Sequence, residues 1–196
     1  MKPLLILLSA ILISAIGYGQ SAFEYFSIGL VKYNLDDFTK AISDFDRAIE
    51  ANPEYSEAYN LRGASKYNLG DYEGAIEDYT SAIEIDSRQS DGIGLTIYDQ
   101  RGKVIESKRS VTAEPFMATP FYNRALARSA KDDYQGAIED FNAALQMDPS
   151  LITAYYFMGE LKYELGDLTG ACSDWQKAND HGIAEAAELL QELCTP

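Results

Sequence analysis

Residues 69–83 read LGDYEGAIEDYTSAI, and residues 131–145 read KDDYQGAIEDFNAAL. The two stretches begin 62 positions apart and share their aspartate, glycine, alanine and aromatic positions. Such a close echo within a chain of 196 residues indicates an internal repeat. The period of that repeat is therefore the first property to establish.

Small and aromatic residues recur with a spacing of 34 residues in each half of the chain. Gly29 and Gly63 are 34 positions apart, and so are Ala125 and Gly159. Each is followed at fixed distances by a small, an aromatic and a small residue, at Ala41, Phe45, Ala48, Ala75, Tyr79, Ala82, Ala137, Phe141, Ala144, Ala171, Trp175 and Ala178. The step of 62 between the second and third copies exceeds 34 by 28, which predicts an insertion of 28 residues.

Each unit carries two apolar helical stripes, which predicts a helix–turn–helix repeat. Gly70 suits the C-terminal end of the first helix and Asp71 the N-cap of the second, and Gly166 and Asp167 repeat this pattern. A single hairpin leaves one apolar side exposed to water. We therefore expect successive hairpins to stack in an all-α array.

These positions resemble the tetratricopeptide repeat (TPR) family, whose pattern matches residues 22–55, 56–89, 118–151 and 152–182. The resemblance implies a right-handed α–α superhelix, with residues 90–117 inserted between the second and third repeats. An apolar stripe predicts a helix over residues 183–194 that caps the array. One departure concerns the position three residues after the small residue, which is usually tyrosine but here is basic, at Lys32, Lys66, Arg128 and Lys162.

The resemblance also implies that the first helices of the repeats line a concave surface. The implied groove positions are Phe26, Leu30, Tyr33, Asn34, Asn60, Ala64, Tyr67, Asn68, Tyr122, Leu126, Ser129, Tyr156, Glu160, Tyr163 and Glu164. Amide side chains can pair with a peptide backbone while tyrosine rings cover apolar side chains, so these residues suit an extended peptide. Alternatively, Tyr33, Tyr67 and Tyr163 replace the missing tyrosine of the core.

Family members that bind the acidic tails of cytosolic chaperones use basic and amide residues at particular groove positions. The corresponding residues here are Phe26, Leu30, Leu61, Thr119 and Asn123. The carboxylate clamp is absent, so binding of chaperone tails is not expected.

Charged residues recur in two rows. Acidic residues precede the core aromatics at Asp44, Asp78, Asp140 and Asp174, and basic residues occupy the departing positions named above. Arg62 and Arg124 add a second basic row in the middle repeats. Packing of neighbouring helices predicts ion pairs between the rows, and the alternative is a solvated face that contributes little to stability.

The insertion, residues 90–117, changes from helical to alternating hydrophobicity. LTIY and KVIE flank Asp99–Gly102, which has the composition of a turn, so a β-hairpin is plausible and a loop is the alternative. An isolated hairpin is marginally stable in water, which makes this segment a second candidate recognition element.

No constellation for catalysis is visible in the sequence. His181 is the only histidine, and one histidine with two cysteines provides neither a metal set nor a Cys–His pair. We therefore expect no catalytic residue, no metal, no cofactor and no small-molecule substrate. Cys172 and Cys194 could meet across antiparallel helices as a disulfide, and two buried thiols are the alternative.

The first 19 residues have the pattern of a signal peptide. Lys2 precedes an apolar run from Leu4 to Ile16, and Gly17 and Gly19 suit cleavage after Gly19. The run is short for a permanent span, and an uncleaved N-terminal anchor is the alternative. Export predicts a periplasmic or secreted protein.

The formal charge of −15 argues against nucleic acid and anionic lipid as partners, because phosphates favour clustered Lys and Arg. These observations together predict an exported, non-catalytic scaffold that binds a protein or peptide. The alternative is a structural, self-assembling component of an envelope complex that acts through residues 90–117 and the ends of the array.

Overall fold

The computed structural model describes residues 21–91, 94–98, 104–109 and 118–194. Within these ranges the chain forms nine helices and two strands. In chain order they are α1 (residues 21–33), α2 (Phe38–Ala51), α3 (Ser56–Asn68), α4 (Tyr72–Asp91), β1 (Gly94–Tyr98), β2 (Val104–Arg109), α5 (Ala118–Ser129), α6 (Tyr134–Met147), α7 (Thr153–Glu164), α8 (Leu168–Asp180) and α9 (Ala184–Leu193). The predicted signal peptide and the predicted turn at Asp99–Gly102 lie outside the described residues.

The chain divides into two compact units, with the boundary between Ile85 and Asp86, inside α4. The N-terminal unit contains α1, α2, α3 and most of α4. The C-terminal unit contains the two strands and α5 to α9.

In the N-terminal unit, helices pair where a small residue faces a ring. A Cβ atom built on Gly63 would lie 2.9 Å from a ring carbon of Tyr79, which is 2% exposed. Because only glycine allows so close an approach, the spacing of small and aromatic residues sets the distance between α3 and α4. Ala41, Phe45 and Ala48 are fully buried on α2 in the same manner.

The turns between paired helices place one residue in the left-handed region. Gly70 and Gly166 do so with φ values of 82° and 81°, and the next residue caps the following helix through its carboxylate. In the first and third repeats the same conformation is held by Asp36 and Asp132, with φ values of 58° and 61°. Aspartate tolerates this region better than most non-glycine residues.

The C-terminal unit has two buried clusters. One joins α5, α6 and α7 around Ala125, Phe141 and Met158. The other joins α8 and α9 around Trp175, which is 1% exposed, and Ala186. The predicted capping helix is present as α9, and it covers α8 with its apolar side.

Strands β1 and β2 pair antiparallel in a two-stranded sheet, with Leu95 opposite Lys108 and a register shift between Ile97 and Tyr98. The two described strands of the insertion therefore pair as they would in the hairpin that the alternating pattern predicted. The predicted all-α class of the repeats is confirmed by the helices on both sides of it.

Candidate peptide-binding surface

The groove positions of the N-terminal unit lie on α1 and α3, the first helices of their repeats, except Asn34, which directly follows α1. Asn34 and Asn68 are exposed, whereas Leu30 is half-buried and Ala64 is buried. The Asn68 amide donates to the Ala64 carbonyl oxygen over 2.8 Å. This unit therefore exposes two amide side chains at its groove positions.

Two tyrosines of the N-terminal unit pack inside their own repeats. The Tyr33 ring centroid lies 5.5 Å from that of Phe38, and the Tyr67 centroid lies 5.3 Å from that of Tyr72. Both tyrosines are half-buried against the start of the following helix. They thus combine the core packing that the sequence left as an alternative with a partly exposed face.

The groove positions of the C-terminal unit lie on α5 and α7, and there they meet a cavity. Its volume is about 270 Å³. The lining residues are Leu126, Ser129, Tyr134, Phe141, Phe157, Glu160, Leu161 and Glu164. Four of these, Leu126, Ser129, Glu160 and Glu164, are positions that the repeat pattern implied.

The aromatic wall of this cavity could not be assigned from the groove positions. Phe157 stacks on Phe141 with a centroid separation of 5.8 Å and an interplanar angle of 9°. Tyr134 belongs to α6, the second helix of its repeat, and its hydroxyl donates to Asp132 over 2.9 Å. Phe157 follows the groove position Tyr156 directly, which was the only signal for it in the sequence.

Tyr122, Tyr156 and Tyr163 lie on the same first helices but outside the cavity lining. The Tyr122 ring centroid lies 5.3 Å from that of Phe141, and the Tyr122 hydroxyl shares a 3.1 Å hydrogen bond with the Thr153 hydroxyl. Tyr163 packs on Trp175 at 5.9 Å and is 45% exposed.

Tyr156 marks a region of negative potential beside the cavity. Its hydroxyl donates to Glu160 Oε1 over 2.9 Å. Burial, the hydrogen bond to Glu160 and the charges of Glu160, Glu185 and Glu188 raise the pKa of Tyr156 to about 12. Three carboxylates are thus close enough to disfavour a phenolate at this position.

The two charge rows form ion pairs inside each repeat, as predicted. Lys32 pairs with Asp44, Lys66 with Asp78, Arg128 with Asp140 and Lys162 with Asp174. The four aspartates, which we call the aspartate row, are between 1% and 5% exposed. A solvated face is therefore wrong for this row, because its carboxylates lie in the interior.

In the middle repeats, arginines of the second basic row also bind the carboxylates of the aspartate row. Arg62 binds Asp78 through two nitrogens at 2.9 and 2.6 Å and also reaches Asp46 on α2. Burial alone would lower the pKa of Arg62, but Asp78 and Asp46 raise it overall. Arg124 holds Asp140 in the same way.

Comparisons with known proteins identify the repeat. A tetratricopeptide repeat model matches residues 26–90, and a TPR repeat model matches residues 126–166, which together cover more than half of the chain. The chain belongs to the tetratricopeptide repeat family. The human mitochondrial import receptor subunit TOM70 is 26% identical over 190 residues. The match covers 89% of this TPR chain but only 31% of the length of TOM70.

Solved structures share the TPR fold at low sequence identity. MamA from Desulfovibrio magneticus RS-1 is 18% identical with a TM-score of 0.63, over 81% of this chain and 74% of the other. The first TPR of Spaghetti (RPAP3) bound to the HSP90 peptide SRMEEVD is 16% identical with a TM-score of 0.59. The match covers 76% of this chain and 95% of the other. The Arabidopsis OM64 TPR domain is 20% identical with a TM-score of 0.59. The match covers 75% of this chain and 98% of the other. These likenesses show the fold of the TPR array.

The departure from the usual TPR pattern has a structural role in this chain. The basic side chain in place of tyrosine extends from the first helix of a repeat to the aspartate row on the second helix. A tyrosine could not neutralise a buried carboxylate, so the basic residue and the aspartate belong together.

The remaining sequence candidates lie at the C-terminal end of the TPR array. Cys172 and Cys194 are joined by a disulfide between α8 and the end of α9, with their Cα atoms 5.8 Å apart. His181 is exposed, and its Nδ1 lies 2.8 Å from the Lys177 carbonyl oxygen. No group of three potential metal ligands occurs in the part of the chain that the structure describes. Nor is any helix in those same ranges long and apolar enough to cross a bilayer.

Proposed function

We propose that this chain is an exported, non-catalytic scaffold that binds a protein or peptide partner through the groove positions. The observation that carries the proposal is the cavity between α5 and α7, where groove positions and aromatic rings meet at one opening. At about 270 Å³ the cavity is smaller than the roughly 300 to 1,000 Å³ of a typical small-molecule site. It suits one or two side chains of a peptide.

Two relatives support a binding role. One solved TPR is described as bound to a peptide, SRMEEVD, and TOM70 is described as an import receptor subunit. Both descriptions concern those proteins, and they lend support by analogy of fold. Because the carboxylate clamp residues are absent here, we do not propose the same peptide for this chain.

Export is the second part of the proposal. It is supported by the sequence of residues 1–19, with Lys2, an apolar run and Gly19 before the expected cleavage point. The disulfide between Cys172 and Cys194 suits an oxidising compartment. We propose a periplasmic or secreted location.

Site-specific photo-crosslinking tests the proposed surface. A photoreactive amino acid replaces Leu126, which lines the cavity, or Gln146, which is exposed on α6, in cells that make the protein naturally. We expect a distinct crosslinked protein at Leu126 and none, or only background, at Gln146. The same cells also test export, because the N-terminal residue of this chain purified from them is expected to be Gln20. Identical crosslinked products at both positions would refute binding at the groove positions.

A self-assembling envelope component is the second candidate function. It is favoured by the two-stranded sheet, in which each described strand has one edge with no partner strand. Exposed apolar side chains on and just after α1, at Phe23, Val31 and Leu35, would add to such an assembly. A mass in solution that rises with concentration would favour this function over partner binding.

A further inference from the structure

The cavity of the C-terminal unit combines apolar walls with an acidic margin. Leu126 and Phe157 are half-buried and supply accessible apolar surface, whereas Phe141 and Leu161 are buried. Glu160 and Glu164 supply the only formal charges of the lining. The two glutamates are one helical turn apart, where like charges repel and slightly destabilise a helix. The fold therefore tolerates a repulsion that a bound cation would remove.

Most basic residues of the segment 118–194 bind carboxylates outside the cavity. Residues 118–194 contain five Lys and Arg residues and 13 Asp and Glu residues. Four of the five basic side chains pair with two buried carboxylates: Arg124 and Arg128 bind Asp140, and Lys162 and Lys177 bind Asp174. Within the described residues, neither Glu160 nor Glu164 has a Lys or Arg partner.

The acidic margin is specific to the fourth repeat. The position of Glu160 is held by Leu30, Ala64 and Leu126 in the other repeats, and that of Glu164 by Asn34, Asn68 and Ala130. Neutral residues are therefore compatible with the helix pairing at both positions. Since the fold does not require these two charges, they are available to a ligand.

We propose that this cavity binds a lysine or arginine side chain flanked by apolar residues in a peptide segment of the partner. This inference rests on the proposed function and names the chemistry of its ligand. The apolar stem of such a side chain packs against Phe157 and Leu126, while its charged end reaches the carboxylates. Tyr134 and Phe157 add rings over which a cation is favourable. Tyr156 holds Glu160 by a hydrogen bond, which orients that carboxylate before binding.

Selection from a random heptapeptide library displayed on phage tests this proposal. The bait is the full mature chain, either unchanged or with Glu160→Leu and Glu164→Asn, which are the residues of other repeats. The control variant, Glu139→Gln with Glu192→Gln, removes two exposed charges that do not line the cavity. Circular dichroism checks the fold, and Glu160→Gln with Glu164→Gln replaces the first variant if it unfolds.

The unchanged chain and the control are expected to enrich peptides with Lys or Arg beside apolar residues, and the cavity variant to lose that preference. A synthetic copy of the leading peptide should bind the cavity variant about tenfold more weakly in fluorescence anisotropy, the size expected for one charge-assisted contact. Replacing the basic residue of the peptide with Gln should weaken its binding to the unchanged chain by a similar factor. The same replacement should not weaken its binding to the cavity variant any further.

Enriched peptides without Lys or Arg, or an equal basic preference in the cavity variant, would overturn this inference while leaving peptide binding intact. Enrichment of no peptide by any bait would overturn the proposed function together with it.

Discussion

At the scale of single residues, the aspartate row is the feature that distinguishes this array. Each aspartate lies one position before a core aromatic and is almost completely removed from water. A buried carboxylate is costly unless a cation and hydrogen bonds compensate for the lost hydration. Each aspartate has such a partner on the preceding helix. The row should therefore respond strongly to loss of one member.

Arg62 allows this to be tested, because it binds one buried and one exposed carboxylate. The side chain of Asp78 is 4% exposed and that of Asp46 is 48% exposed. We expect Asp78→Asn to lower the free energy of unfolding by about 3 kcal/mol, because Arg62 and Lys66 lose their buried partner. Asp46→Asn should cost less than about 1 kcal/mol. Urea denaturation measures both, and equal losses would contradict the role assigned to burial.

The rows of charge and their tendency to pair were visible in the sequence, but which cation pairs with which aspartate was not. Lys66 and Asp78 are 12 positions apart, and Arg62 and Asp78 are 16 apart. Such residues meet only when two helices pack antiparallel. Burial, which decides the energy of each pair, depends on that same packing.

At the scale of elements, α9 is held at the end of the array by three features. Gly182 turns the chain after α8 with a φ of 93°. Ala186 and Leu190 pack against the Trp175 cluster on α8. The disulfide from Cys172 to Cys194 closes the end of the helix. Since α9 is only ten residues long, it would be a marginal helix without these contacts.

Reduction of the disulfide should therefore loosen α9 before the rest of the unit. Closing a loop over 22 positions stabilises a protein by about 3 kcal/mol in the chain-entropy model. We expect faster hydrogen exchange in α9 after reduction, with little change in α5. The fluorescence of Trp175, the single tryptophan, should shift to longer wavelength as its cover loosens. Unchanged exchange in α9 would show that packing alone retains the helix.

Elements were more predictable than their turns. The 34-residue period located the helix pairs because small and aromatic residues alternate along both helices of each pair. The turns at Asp36 and Asp132 were not recognised, because sequence patterns associate the left-handed conformation mainly with glycine. Aspartate holds it there with the same backbone geometry.

At the scale of the whole molecule, the formal charge of −15 is the dominant electrostatic property. Excess negative charge on the surface disfavours the compact state through repulsion. Salt screens exposed charges much more than buried pairs. Because the pairs of the aspartate row are largely buried, screening should relieve repulsion more than it weakens attraction.

Raising KCl from 20 to 200 mM should accordingly increase the melting temperature by a few degrees, which corresponds to roughly 1 kcal/mol for a chain of this size. Differential scanning calorimetry measures the shift. Tetramethylammonium chloride at equal ionic strength serves as the control for specific binding of potassium. A melting temperature that falls with either salt would mean that ion pairs outweigh repulsion.

The groove positions on the first helices were implied by the resemblance to the TPR family, whereas the repeat, its period and the place of the insertion could be predicted from the sequence alone. These follow from local spacing, because a helix converts a fixed interval into a fixed face. Helix packing was needed to show which cation pairs with which aspartate, that the two cysteines meet, and that Glu160 and Glu164 border a cavity lined by Phe141 and Phe157. Those contacts join residues of different helices, and their distances are fixed by helix packing rather than by position along the chain.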